Sequence, residues 1–94
     1  MSGSLSDRLN WFLIDIQSGE EKRIGVSITD REWGVEIDNR KNLYYVSVIG
    51  RKADGSKETA DIAGGERVRV YVNGKELFLY NDNSDDITIQ YAYP

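Results

Sequence analysis

Apolar and polar side chains alternate with a period close to two along most of this chain, and turn-forming residues break the alternation at short intervals. That pattern belongs to half-buried β-strands, whose successive side chains point to opposite faces. It predicts strands over 10–17 (NWFLIDIQ), 24–30 (IGVSITD), 33–38 (WGVEID), 43–51 (LYYVSVIGR), 57–62 (KETADI), 66–73 (ERVRVYVN), 75–81 (KELFLYN) and 86–93 (DITIQYAY). Between them SGEE, DNRKN, ADGS, AGG, NG and NDNSDD carry the Gly, Asn and Asp that turns require. The one helical candidate is SLSDRLN, a turn or two at most. Short strands at this spacing predict an all-β, single-domain β-sandwich or small barrel of seven to eight mostly antiparallel strands over 10–94, after a short polar segment at 1–9.

Asn73-Gly74 is the sharpest local signal, because a two-residue type I′ loop needs positive φ at both central positions and Asn-Gly supplies it. A hairpin closed there sets Val72 opposite Lys75, Tyr71 opposite Glu76 and Val70 opposite Leu77. It continues with Arg69 opposite Phe78, Val68 opposite Leu79 and Arg67 opposite Tyr80. Val68, Val70, Leu77 and Leu79 then form a core face, and the other face becomes a ladder of arginines against aromatic rings. Such a ladder packs as sheet surface, each cation–π contact contributing about 0.5–1 kcal/mol. It also suits docking, since Arg and Tyr are enriched at interface hot spots. The candidate partner-binding residues are Arg67, Arg69, Tyr71, Phe78 and Tyr80. Asp54-Gly55 offers a second tight turn, with a longer loop equally compatible.

Two strands lack clean alternation. Trp11/Leu13 and Phe12/Ile14/Ile16 are apolar on both faces, as are Leu43/Tyr45/Ile49 and Tyr44/Val46/Val48. Such strands call for cover on both sides, from loops or from a second subunit. Trp33, Val35 and Ile37 share one face and are expected in the core. Ile87, Ile89, Tyr91 and Tyr93 share another, starting in the core and emerging towards the last residues.

Composition narrows the functional classes. Ninety-four residues suit one domain, and two Trp, six Tyr and two Phe supply a core. A net charge of −4 and a pI near 4.7 argue against nucleic acid and against anionic membrane surfaces. Without Cys or His, disulfides and thiolate or imidazole metal centres are excluded. The opening MSGSLSDRLN has no signal-peptide character, and the apolar run WFLI is too short to span a bilayer, so no transmembrane segment and a cytoplasmic or assembly-associated protein are expected.

Chemical motifs are sparse. In the acidic loop 81–86, Asp82, Ser84 and Asp86 alternate as oxygen donors would around a hard cation. The loop departs from the EF-hand pattern, with Asp86 at the sixth position and Ala92 at the twelfth, so a solvated turn is expected. No histidine is present to activate a serine, no GxSxG elbow occurs, and AGGERV is not a phosphate-binding loop. The residues predict no cofactor and a non-enzymatic interaction module, self-associating or protein-binding, of the kind found as a structural or accessory subunit. The competing reading is a lectin-like or lipid-recognising β-sandwich, binding carbohydrate or lipid through exposed Trp and Tyr such as Trp33, Tyr91 and Tyr93.

Overall fold

The computed structural model describes residues 9–94. The polar segment 1–9 and the turn expected within SLSDRLN therefore fall outside the described residues, but for Leu9 and Asn10. Six strands follow one another: β1 (Phe12–Ile16), β2 (Glu21–Asp38), β3 (Val46–Arg51), β4 (Lys57–Ile62), β5 (Arg67–Tyr80) and β6 (Ile87–Ala92). They form one antiparallel sheet in the order β1-β6-β2-β5-β3-β4, curled into a half-barrel, with no helix among the described residues. This single sheet stands where a sandwich of seven to eight strands was expected.

The difference lies in two breaks that are not turns. The runs 24–30 and 33–38 fuse into β2, and 66–73 and 75–81 fuse into β5. The two interruptions face each other, Arg31 pairing with Gly74 and Glu32 with Asn73. The Asn73-Gly74 hairpin is thus corrected: neither residue has positive φ, and β5 runs straight through. Running on, it pairs with β2 along nearly its whole length and with β3 along its second half.

The Asn-Gly signal marks a bulge instead. Val70 and Val72 face the core before it, Leu77 and Leu79 after it, so the core phase of β5 switches from even to odd positions. On β2 the residues 27–30 stand opposite Lys75 alone. Bulges of this kind bend a sheet and sharpen its twist. A Cβ on Gly50 would stand 2.2 Å from the Asn73 carbonyl oxygen, and one on Gly74 would stand 2.6 Å from the Arg51 nitrogen. Only glycines let β3 and β5 approach so closely there. The Asn73 N–H is capped by the Glu58 carboxylate at 2.9 Å, with Lys52 Nζ 3.1 Å from the other carboxylate oxygen. The Asn73 N–H, then Lys52, hold the Glu58 carboxyl below its usual pKa.

The concave face holds the core. Trp33, Val35 and Ile37 of β2 pair with Val72, Val70 and Val68 of β5, and Val48 pairs with Leu79. Ile14 and Ile16 meet Ile89 and Ile87 across β1 and β6. Fully burying each such side chain contributes about 1.5–3 kcal/mol. Val68 lies on this face but at its margin, 37% exposed, so it is not the core residue expected. Two buried asparagines tie the loops down. Asn39 Nδ2 donates to the carbonyls of Tyr44 and Ile62. Asn81 Nδ2 donates to those of Ile16 and Asp85, while its oxygen accepts from the Asn83 N–H.

Of the two doubly apolar runs, 43–51 is covered within the chain only in part: it forms a strand from Val46, where Ile49 is buried on the outer face and paired with Phe78, while Leu43, Tyr44 and Tyr45 precede the strand and stay exposed. In β1, an edge strand, Leu13 stays 69% exposed. The Asp54-Gly55 turn is the longer form, closed by Lys52 N–H to Ser56 C=O, with Gly55 at φ 90°. Its register sets Arg51 opposite Lys57, and Arg51 reaches away to Glu21 at 2.9 Å.

Candidate binding cleft

The corner made by the facing bulges opens a cleft of about 630 Å³ between β2, the first half of β5 and the last residues of the chain. Its construction begins with two glycines. A Cβ on Gly25 would come within 2.8 Å of the Trp33 ring, and one on Gly34 within 3.0 Å of the Tyr71 ring. Each bare backbone position therefore carries an aromatic ring laid across it. Trp33 is buried, and its indole N–H donates to the Gly74 carbonyl at 2.9 Å, so the bulge itself fixes the ring. Tyr71 stays 57% exposed. Tyr93 packs against Trp33 at 6.2 Å between centroids, and its hydroxyl donates to the Ile24 carbonyl. Burial, then Tyr91, pushes the Tyr93 phenol up to about 12, although Arg31 pulls it back.

Two cations line this corner. The Arg31 guanidinium lies 4.3 Å over the Trp33 ring, a cation–π contact that orients it. No ion pair holds Arg31 among the described residues. Arg69 rises from the outer face beside the Tyr71 phenol and reaches Glu36 at 3.3 Å. Tyr71, then Glu36, raise its pKa further. Glu36 is buried and also takes Arg67 at 2.9 Å, and the Arg67 guanidinium lies 5.0 Å over the Trp11 ring. No Asp or Glu side chain is among the residues lining the cleft.

The structure divides the five residues singled out from the sequence. Arg67, Arg69 and Tyr71 share the outer face of the first half of β5, and two of them, Arg69 and Tyr71, line the cleft. Phe78 and Tyr80 lie beyond the bulge, at the other end of the strand. The Arg67–Tyr80 and Arg69–Phe78 ladder is therefore corrected: Arg67 pairs with Asp38 and Arg69 with Glu36. Phe78 instead receives Arg51, 5.3 Å over its ring, and the Tyr80 hydroxyl donates to Asp82 at 3.4 Å. In the acidic loop, Asp86 accepts the Ser18 N–H at 2.9 Å, and Asp82 and Ser84 flank Asn83, whose side chain bonds Asn81 and Tyr45. Among the described residues no group of three or more acidic side chains is placed to hold a metal ion. Arg31, Glu36 and the two glycines were not recognised from the sequence. Gly25 and Gly34 carried the available signal, since glycine inside a strand marks a close approach.

Comparison of the chain with protein-family models, with curated proteins and with solved structures returns no match. No helix among the described residues is long and apolar enough to cross a membrane.

Proposed function

We propose that this chain is a non-enzymatic interaction module that docks a partner protein at the β2–β5 cleft. The observation that carries this reading is the chemical character of the lining: Arg31, Arg69, Trp33, Tyr71 and Tyr93. Two of these are guanidiniums and three are flat aromatic rings, with the Trp33 and Tyr93 donors already bonded to the Gly74 and Ile24 carbonyls. A phenol titrating near 12 does not serve as a base at pH 7. Such a set binds and orients, and Arg, Tyr and Trp are the residues that dominate protein interfaces. The test is an array of short blocked peptides of varied composition, probed with the labelled full chain and with its Tyr71→Ser variant. Retention of peptides by the chain and their loss in the variant support docking at the cleft. Uniform failure to retain any peptide would remove the reading.

Self-association is the second reading, and β1 favours it. This unclosed edge carries the exposed Leu13 and Phe12, and exposed edges pair with further strands. Light scattering at micromolar concentration should then give a mass above 10.7 kDa that falls to it in Leu13→Lys. A monomer before mutation ends this reading.

A further inference from the structure

We infer that the cleft recognises a carboxylate on a partner polypeptide, an Asp or Glu flanked by an apolar or aromatic residue, through Arg31 and Arg69 with Tyr71 as the stacking wall. This rests on the docking reading above and names the chemistry of the partner.

Charge is the first argument. The chain is acidic overall, yet two guanidiniums line this corner and no Asp or Glu side chain does. Arg31 has no counter-ion among the described residues, and Arg69 holds Glu36 only at 3.3 Å. An incoming carboxylate meets cations whose pairing is incomplete. Guanidinium–carboxylate hydrogen bonds are about twice as strong as those between neutral groups.

Preorganisation is the second. Arg31 is stacked on Trp33, and Trp33 is anchored to the Gly74 carbonyl. The cation is thus positioned before a ligand arrives, which lowers the ordering cost of binding. Tyr71 lies on Gly34 with its other face open, and exposed Val26 lines the same cleft. A carboxylate bound here has apolar surface beside it.

The shape selects a polypeptide over a small metabolite. Small-molecule sites enclose about 70–90% of their ligand. Here Tyr71, Tyr93, Arg31, Arg69 and Val26 all remain exposed, so the walls form an open trough through which a chain passes. A nucleic acid meets the opposite problem, because two cations in a chain of net charge −4 neutralise few phosphates.

The peptide array tests this directly, followed by calorimetric titration of one acetylated, amidated peptide with two glutamates around a leucine and of its glutamine isostere. Retained peptides should be enriched in Asp and Glu beside apolar residues. The glutamine isostere should bind at least about tenfold more weakly, a difference of roughly 1.4 kcal/mol. Arg31→Gln and Arg69→Gln should each weaken the acidic peptide, whereas Arg23→Gln, outside the cleft, should not. Arg31→Gln leaves the Glu36 cluster untouched but removes the cation over Trp33, so its loss of binding reports recognition when its urea midpoint matches that of the unaltered chain. Equal binding of the two peptides, or retention of acid-free peptides with equal strength, overturns the carboxylate assignment and leaves the docking reading standing. Displacement of the peptide by inorganic phosphate more readily than by acetate also overturns it. An array that retains nothing removes both.

Discussion

Replacing Gly50 with alanine tests whether β5 runs through Asn73-Gly74 or turns there. The new Cβ would sit 2.2 Å from the Asn73 carbonyl oxygen, 2.8 Å from its carbon and 3.2 Å from a Val72 methyl. Ordinary contact begins near 3.4 Å, so β3 and β5 must separate by about 1 Å. Both neighbours are strand backbone with no rotamer to yield. Gly50 does not have positive φ, so the cost is steric and not conformational. Overpacking contributes about 1–3 kcal/mol. Weakening the adjacent ladder bonds, around the Gly50–Leu77 and Arg51–Glu76 pairs, adds about 0.5–1.5 kcal/mol for each bond lost. With one bond lost at each pair the sum is about 2–6 kcal/mol, against a total stability of about 5–14 kcal/mol for a domain of this length. Urea denaturation followed by tryptophan fluorescence measures it, since Trp33 is buried and bonded to the bulge. Gly19→Ala is the contrast: nothing lies within 4 Å of its Cβ, but φ is 73°, so a loss of about 1–2 kcal/mol is expected from backbone strain alone. A Gly50→Ala loss below about 1 kcal/mol would refute the crossing of β3 and β5 at the bulge, because overpacking alone exceeds it.

Asn81→Ala should cost about 2–4 kcal/mol in the same assay, because it strands the Ile16 and Asp85 carbonyls and the Asn83 N–H; a loss under about 1 kcal/mol would show that water replaces the amide. Asp38 and Glu58 have lowered folded-state pKa values, Asp38 chiefly through its bonds to Arg40 and Glu58 chiefly through the Asn73 N–H. Their stabilisation is fully present above the unfolded carboxylate values of about 4 and is lost as pH falls through the lower folded ones. Tm should accordingly drop on acidification, and drop less steeply in the Asp38→Asn/Glu58→Gln double variant; identical slopes would contradict the assignment. Tyr93 has the reverse sign: its phenol is raised to about 12, so its contribution holds below the unfolded value near about 10 and disappears as pH rises through 12. Ultraviolet titration should show a late phenolate step that Tyr93→Phe removes, and its persistence in that variant would assign it elsewhere.

Local alternation placed most strand residues and their faces, but not the number of strands. The pattern at 33–38 put Trp33, Val35 and Ile37 on a common face, and all three are buried on it. Ile87 and Ile89 are likewise buried, with Tyr93 emerging at the end. Connectivity was not legible, because Asn73-Gly74 has the same composition whether it turns a hairpin or bulges within a strand. What decides between them is the pairing of β5 with β2 and β3, a long-range property that one window of sequence does not carry. The cleft was partly legible for a related reason. Arg69 and Tyr71 were identified from their alternation, whereas Arg31 fell in the expected break between two strands and instead lies within β2, two residues from the Trp33 ring it covers. Asn39 and Asn81, read as ordinary turn residues, are buried hubs; their type suits an exposed turn as well as a buried one.

Glu36 sits beneath two guanidiniums, and that redundancy governs how the cleft behaves when occupied. A buried carboxylate with a single partner locks that partner in place, since withdrawing the cation leaves an uncompensated charge. Here Arg67 approaches Glu36 at 2.9 Å and Arg69 at 3.3 Å, on separate carboxylate oxygens. Arg69 is the more exposed of the two and the one that lines the cleft. Were a ligand to draw Arg69 outward, Arg67 would still neutralise Glu36 from its position over Trp11. The scaffold would thereby keep its internal neutrality while one of its cations was lent to the surface.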